Sequence, residues 1–191
     1  MPNVDAVLKV GGSLLDFPNH FAATVSAIGA MRDRRILVVP GGGPFAELVR
    51  KVDAQYSLGD DTAHWMAVLA MDQYAHLIAS RLRRSVLVRT PGEIAAVVPD
   101  SVPVLEPSCW LREADPFPHS WSVTGDSIAA WVARQIGARR LVLIKAPHAA
   151  GDQLVDDHFV EAISDDVTHA IVTADRLDLL ASVLATEVDP H

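Results

Sequence analysis

Lysine is scarce in this chain. Of its 16 basic residues only three are lysines, Lys9, Lys51 and Lys145, and arginine supplies the rest. A surface that takes its positive charge from arginine has no need of lysine for solubility. Yet Lys9 closes the apolar run Ala6-Val7-Leu8, and Lys145 follows Leu141-Val142-Leu143-Ile144. The ammonium group is a compact, strongly hydrated point charge that guanidinium does not replace beside phosphate oxygens. Cysteine is nearly absent: Cys109 stands alone, which excludes an internal disulfide and fits a reducing compartment. Its side chain is expected to be a small buried hydrophobe rather than a nucleophile. No apolar run approaches the roughly 18 residues of a membrane span. No basic segment leads into an apolar stretch at the N-terminus. These absences predict a soluble, cytoplasmic protein with no membrane partner.

Half of the 191 residues are hydrophobic and 21% are charged, a globular composition. The length allows one α/β domain or two small lobes. The net charge of −8 is unevenly placed: ten acidic residues and a single arginine lie between Asp152 and His191. That acidic region argues against a nucleic-acid surface, and its carboxylates read as a solvated face.

Apolar runs of strand length alternate with helical patterns. Strands are predicted at Asp5–Val10, Arg35–Val39, Ser85–Val88, Val102–Leu105, Arg140–Lys145 and His169–Thr173. Helices are predicted at Pro18–Arg32, Pro44–Val52, Asp60–Leu82, Glu93–Val97, Ser127–Ile136 and Asp175–Leu184. Residues 90–120 hold seven Gly or Pro residues and read otherwise as loop. This order favours an α/β fold: a mostly parallel sheet covered on both faces. Ligands of such sheets bind outside the carboxyl ends of the strands. Lys9, Gly11-Gly12-Ser13, Gly41-Gly42-Gly43 and Lys145 all follow strands.

Each of these segments has a plain and a chemical reading. Gly41-Gly42-Gly43 before Pro44 brings backbone N–H groups close to an anion at a helix N-terminus, or it is only a tight strand–helix turn. Lys9-Val10-Gly11-Gly12-Ser13 is a second strand-to-glycine turn, in which Ser13 donates to a ligand oxygen or caps a helix. Neither has the spacing of a Walker loop or of a dinucleotide fingerprint. Thr124-Gly125-Asp126-Ser127 fits an N-cap by Thr124 or Asp126, or a carboxylate that orients a lysine or a metal ion.

Taken together and in this order, Lys9-Val10-Gly11-Gly12-Ser13-Leu14, Val39-Pro40-Gly41-Gly42-Gly43-Pro44 and Thr124-Gly125-Asp126-Ser127-Ile128-Ala129-Ala130 resemble the amino acid kinase family. The resemblance extends to a compact subgroup related to aminomethylfuran phosphate kinase, through His64-Trp65-Met66-Ala67, Ala70-Met71-Asp72-Gln73 and the stretch 121–131. It implies a three-layer α/β/α sandwich with an acceptor lobe, 1–120, and a shortened nucleotide lobe, 121–191. It implies transfer of the terminal phosphoryl group of ATP, with Mg²⁺, to a phosphate monoester or carboxylate. Lys9, Asp126 and Lys145 are then the catalytic residues, Asp126 orienting the lysines. Lys9, Gly11, Gly12, Ser13 and Lys145 bind the phosphoryl group and nucleotide. Gly41, Gly42, Gly43 and His64 bind the acceptor, and no protein metal ligand is expected. The family's usual nucleotide segment is replaced by Lys145-Ala146-Pro147-His148-Ala149-Ala150-Gly151, and no lysine follows it. A second reading therefore stands beside the first: a non-catalytic nucleotide- or oxyanion-binding subunit of a larger assembly.

The segment Ala63–Met71 is apolar almost all round, apart from His64, which predicts burial on several sides and a subunit interface, in a homo-oligomer or with a partner chain. His64, Asp72 and His76 share a helix face, read as a polar groove or interface rather than a metal site. His148, His158 and His169 read as ordinary surface or loop residues, and Trp110, Trp121 and Trp131 as packing residues.

Overall fold

The computed structural model describes residues 4–32, 34–149 and 155–185. Ala150 and Gly151 of the segment after Lys145 lie outside the described residues, as do several of the acidic residues of the C-terminal region. Six strands form one all-parallel sheet: β1 (Ala6–Val10), β2 (Ile36–Pro40), β3 (Ser85–Val88), β4 (Val102–Leu105), β5 (Arg140–Lys145) and β6 (Thr168–Thr173). Their spatial order is β3-β4-β2-β1-β5-β6. From β1 the chain adds β2, places β3 at the edge, inserts β4 between β2 and β3, and then returns to add β5 and β6 on the other side of β1. The switch point of the topology therefore lies at β1, where a parallel sheet opens a crevice at its carboxyl edge.

Side-chain alternation divides the strands between two cores. Val7, Leu37, Val39, Leu141 and Leu143 face α6 (Gly125–Ile136) and its neighbours. Ala6, Leu8, Val10, Val142 and Ile144 face α1 (Pro18–Ala30) and the C-terminal helix α8 (Leu180–Ala185). Lys9 and Lys145 belong by this alternation to the α6 side. The registers Lys9↔Leu143 and Lys145↔Thr173 set them on adjacent strands two residues apart. The 22-residue helix α3 (Asp60–Arg81) serves both cores, with Val68 and Met71 in one and Tyr74, Ala75 and Ile78 in the other. Its apolar girdle is thus largely used inside the chain, and Leu69 is its most exposed large apolar residue.

The helices depart from expectation in instructive ways. Helix α2 (Gly43–Tyr56) outruns the expected Pro44–Val52 because its end is closed late. Ser57, in left-handed conformation, donates to Asp53 O, and the Asp53 carboxylate takes the Leu58 N–H at 3.1 Å. The short helix α4 (Pro91–Ala96) is capped by Thr90. Helix α5 (Pro107–Ala114) stands in the segment expected to be loop; Pro107 opens it, and Trp110 and Leu111 bury its inner side. Cys109 lies on the outer side of this helix and is exposed, which corrects the expectation of a buried residue. A further turn, α7 (Phe159–Ala162), buries Phe159. The expected helix at 175–184 starts later, at Leu177, with a 3-10 turn, Leu177–Leu179, that leads into α8; Asp175 lies ahead of it and accepts the His148 N–H at 3.1 Å. Among the described residues no helix is long and apolar enough to cross a membrane.

The turns after β1 and β2 touch backbone to backbone. A Cβ on Gly12 would lie 2.1 Å from Gly43 N and 2.3 Å from Gly43 Cα, and Gly43 itself has φ of 55°. Gly12→Ala must therefore push the two turns apart. It should cost about 1–3 kcal/mol, as overpacking does. Gly92→Ala, whose added Cβ would meet only Thr90 Oγ1 at 3.8 Å, serves as the near-neutral control. Chemical denaturation of both variants checks this; equal midpoints would show that the close approach is not needed.

Candidate active site

The carboxyl edge of β1 and β5 carries a buried cluster of three charges. Lys9 closes β1 and is 6% exposed; Asp126, in the first turn of α6, is 4% exposed. Lys9 Nζ lies 2.8 Å from Asp126 Oδ1, and Lys145 Nζ donates to Asp126 Oδ2. One carboxylate thus joins two ammonium groups from neighbouring strands. Burial by itself would raise the Asp126 carboxyl, but Lys9 and then Lys145 hold it below its usual value. Lys145 is pushed down by burial and by the nearby Lys9 charge, against the opposing pull of Asp126. The cluster carries a net positive charge in a site where water screens poorly, which favours an anion with several oxygens. Asp126, ionised and engaged on both oxygens, is a poor proton acceptor and a good strut.

Helix α6 is positioned for this by its N-terminus. Thr124 Oγ1 accepts the Asp126 N–H at 3.2 Å, so the cap is Thr124, and Asp126 is free to point at the lysines. Asp156 completes the cap. Its carboxylate accepts from Thr124 N and Oγ1, from Ser127 N and Oγ, and from His158 N. In the sequence Asp156 stands out only as one member of an acidic region expected to be solvated. Its spacing from Asp126 carries no pattern, and only the return of the chain to α6 brings it there.

The glycine turns divide the work unevenly. Gly11 N–H donates to Ile144 O at 2.8 Å, and Gly41 N–H to Val10 O at 2.9 Å. Both donors are spent in extending the sheet, which corrects the expectations that Gly11 offers its N–H to a phosphoryl group and that Gly41 offers its own to the acceptor. Gly11 O accepts the hydroxyl of the fully buried Tyr74 at 3.2 Å, which fixes the Gly11–Gly12 peptide plane. In a trans peptide the Gly12 N–H then points away from Tyr74. Ser13 is exposed in a 3-10 turn, Gly12–Asp16, whose N-cap is Gly11 without a side-chain cap bond; Ser13 therefore does not cap it. Gly41 packs against the Lys9 stem: an added Cβ would lie 3.4 Å from Lys9 Cε.

Beside this cluster lies a pocket of about 210 Å³ between α2, α3 and the start of α6. Gly42, Gly43 and His64 line it, as does Gly125, where an added Cβ would lie 3.1 Å from Gly41 Cα and 3.3 Å from Lys9 Cε. Ala67, Val68, Met71 and Ile128 give it an apolar floor. The rim adds residues that the sequence pattern does not single out for the site. Arg50 stacks over Trp121 at 4.2 Å, and Trp121 Nε1 donates to Asp53 at 2.9 Å. Trp121 is therefore a pocket wall, whereas Trp110 and Trp131 pack together in the core at 4.9 Å. His64 stacks on His119 at 4.3 Å, and His119 is held by Asp61 and Asp115. Burial and then the neighbouring His119 lower the His64 imidazole. Asp72 and His76 do not join it: Asp72 binds Ser108, and His76 pairs with Glu106 at 3.1 Å. Among the described residues no cluster of three or more metal-ligating side chains occurs.

The amino acid kinase family model matches residues 6–147, which include both lysines and Asp126. The chain belongs to this family. An aminomethylfuran phosphate kinase of Methanocaldococcus jannaschii is 26% identical over 140 residues, spanning 72% of this chain and 63% of the relative. The match thus falls short of two thirds of that relative's length. The uridylate kinase of Archaeoglobus fulgidus superposes with a TM-score of 0.73 at 16% identity, over 95% of this chain and 96% of that one. The UMP kinase of Bacillus anthracis gives 0.71 at 11%, over 96% and 93%. These two establish that the sheet and its covering helices have the amino acid kinase fold.

In this family member the buried ion cluster has a pH signature. The folded-state pKa of Asp126 is lowered from 3.8, so its ionised form stabilises the fold above that value. The contribution is lost as pH falls through the lowered folded value. Asp126→Asn should therefore be less stable than the parent near neutral pH, and the gap should close in strong acid. Denaturation midpoints measured from neutral to acid pH check this; a gap independent of pH would refute it.

Proposed function

We propose that the chain is a kinase that moves the terminal phosphoryl group of ATP onto a small phosphate monoester. A carboxylate is the less favoured acceptor. The observation that carries this is the intact Lys9–Asp126–Lys145 cluster, set at the switch point beside a pocket of acceptor size. Phosphoryl transfer needs alignment and spread positive charge more than covalent help. Lys9 and Lys145 place two ammonium groups where equatorial phosphoryl oxygens gain charge, and Asp126 keeps them apart and aimed. A phosphate acceptor is already deprotonated, so an acidic, doubly engaged Asp126 suffices and no general base is required. The bond broken joins the terminal phosphorus of ATP to its bridging oxygen, and the bond formed joins that phosphorus to an acceptor oxygen. The products are ADP and a diphosphate.

Mg²⁺ bound with the nucleotide would supply Lewis-acid neutralisation of phosphate charge. The residues fit an ion carried by phosphates, because both Asp126 oxygens are committed to lysines. Within this reading Gly12 donates to the transferring group, and Gly42, Gly43 and the first turn of α2 hold the acceptor. Residues 1–120 form the acceptor lobe and 121–191 a shortened nucleotide lobe. The acceptor follows the resemblance to the Methanocaldococcus relative: an aminomethylfuran phosphate or a close analogue, with the flat face of Trp121 beside its ring. Assembly into a homo-oligomer belongs to the same proposal, with Leu69 on the outer side of α3 as a contact.

Calorimetric titration with a non-hydrolysable ATP analogue, with and without Mg²⁺, tests the nucleotide half. Binding that requires Mg²⁺ and weakens at least tenfold in Lys145→Ala supports it. Lys9→Ala should lower turnover with a phosphomonoester acceptor by two or more orders of magnitude while the thermal transition stays cooperative, as expected where electrostatic stabilisation is lost. Near-normal turnover in Lys9→Ala would refute the assigned role. No nucleotide binding at millimolar concentration would turn the reading to a non-catalytic oxyanion-binding subunit.

A further inference from the structure

Away from the lysine cluster, an open groove of about 770 Å³ runs between α1 and the C-terminal half of α3. It is more than three times the volume of the acceptor pocket. Leu15, Phe21, Val25 and Leu77 give it an apolar wall. Both helices run from the carboxyl edge of the sheet towards its amino edge, and at that end stand Arg32, Arg81 and Arg83. All three are exposed, and among the described residues none makes an ion pair. Arg84 beside them shows the contrast: it pairs with Asp100 and donates to Gly29 O at 3.2 Å. No carboxylate lines the groove among the described residues.

Three guanidinium groups without an ion pair among the described residues, at the end of an apolar trough, constitute a specific demand. Guanidinium recognises phosphate in a forked geometry, and several together match a dianion better than a carboxylate. The volume is that of small-molecule sites, which are mostly apolar with a few placed polar groups. The concave shape suits a molecule that lies within the trough rather than a flat bilayer surface.

We propose that this groove binds a small amphipathic phosphate ester, its apolar body on Phe21 and Val25 and its headgroup among Arg32, Arg81 and Arg83. The site uses neither Lys9 nor Lys145, so it stands or falls apart from the kinase reading. One wall, Leu15, belongs to the 3-10 turn that begins at Gly12, and Phe21 lies 6.0 Å from Tyr74, whose hydroxyl holds Gly11. The groove is therefore also adjacent to the glycine turn.

The test is calorimetric titration of the full chain with n-octyl phosphate below its micelle concentration, with inorganic phosphate and n-octanol as partial ligands. The expected result is saturable binding of one molecule per chain, at least tenfold tighter than either partial ligand. It should persist in Lys9→Ala, which separates it from the active site. It should weaken at least tenfold in the double variant Arg81→Ala, Arg83→Ala, whose side chains are exposed and leave the core untouched. Ala22→Trp, which fills the trough, should have the same effect. Absence of saturable binding, binding lost in Lys9→Ala, or binding indifferent to the arginines would overturn the proposal. Sedimentation showing a parent dimer that Ala22→Trp dissociates would overturn it too, since a second copy would then cover the groove.

Discussion

A carboxylate shared by two ammonium groups is the constraint around which this chain is arranged. Lys9 and Lys145 lie on adjacent parallel strands with their side chains on one face, and without a counter-charge they would repel each other in a poorly screened site. Asp126 removes that conflict, and it does so only if α6 begins at the carboxyl edge of β1 and β5. The start of α6 is accordingly over-determined. Thr124 caps it, Asp156 accepts four hydrogen bonds from Thr124 and Ser127 at its start, and a Cβ added to Gly125 would stand only 3.1 Å from Gly41 Cα. Each of these features is local, yet each serves the same distance between one helix turn and two strand ends.

That arrangement explains which parts of the site are legible in the sequence. Lys9 and Lys145 close apolar runs, so strand periodicity places them at the carboxyl edge, whereas Asp126 reads equally as a helix cap and is assigned to the lysines only by the family resemblance. Their meeting is a consequence of parallel topology, which the alternation of strands and helices already indicates. Asp156, Tyr74, Arg50 and Trp121 carry no comparable signal. Each reaches the site across a large sequence separation: Tyr74 to Gly11, Trp121 to Asp53, Asp156 to Thr124. A single sequence records which residues are present but not which long-range pairs form. Gly11 shows the opposite error: the residue type marks it rightly as special, while its N–H belongs to the sheet rather than to a ligand.

Proline accounts for the main misreading of the fold. The density of Gly and Pro between residues 90 and 120 suggests loop around the one expected helix at Glu93–Val97, yet Pro107 opens a second helix there, and Pro91, Pro18 and Pro44 stand at helix starts as well. At a first turn the missing N–H costs nothing, because those donors have no intrahelical partner, and the fixed φ favours helix entry. Proline in this chain is punctuation that starts elements. What distinguishes Pro107 from a loop proline is the Trp110-Leu111 pair behind it, spaced to turn one side of a short helix into the core. Cys109 follows from the same geometry: between a buried proline and a buried tryptophan, it falls on the outer side of the turn.

Around β1, β2 and β5 the division of labour between arginine and lysine follows the two edges of the sheet, whereas Arg89, just after β3, stands at the carboxyl edge and pairs with Glu106. Arg32, Arg34 and Arg35 precede β2, Arg81, Arg83 and Arg84 precede β3, and Arg139 and Arg140 lead into β5. All belong to the amino edge, where long side chains reach solvent, pair with exposed carboxylates or cap carbonyls, as Arg84 does at Gly29 and Arg140 at Val183. The carboxyl edge at β1 and β5 has lysine instead. A guanidinium there would present a planar fork and more bulk than the space between Gly41, Gly125 and Asp126 admits. The Lys9 stem is already so close that a Cβ added to Gly125 or Gly41 would stand only 3.3 or 3.4 Å from its Cε. Lysine fits because its charge sits on one atom at the end of a slender chain. The scarcity of lysine and the closeness of the glycine turns are thus two expressions of one packing problem: placing two positive charges against the Asp126 carboxylate with almost no room beside them.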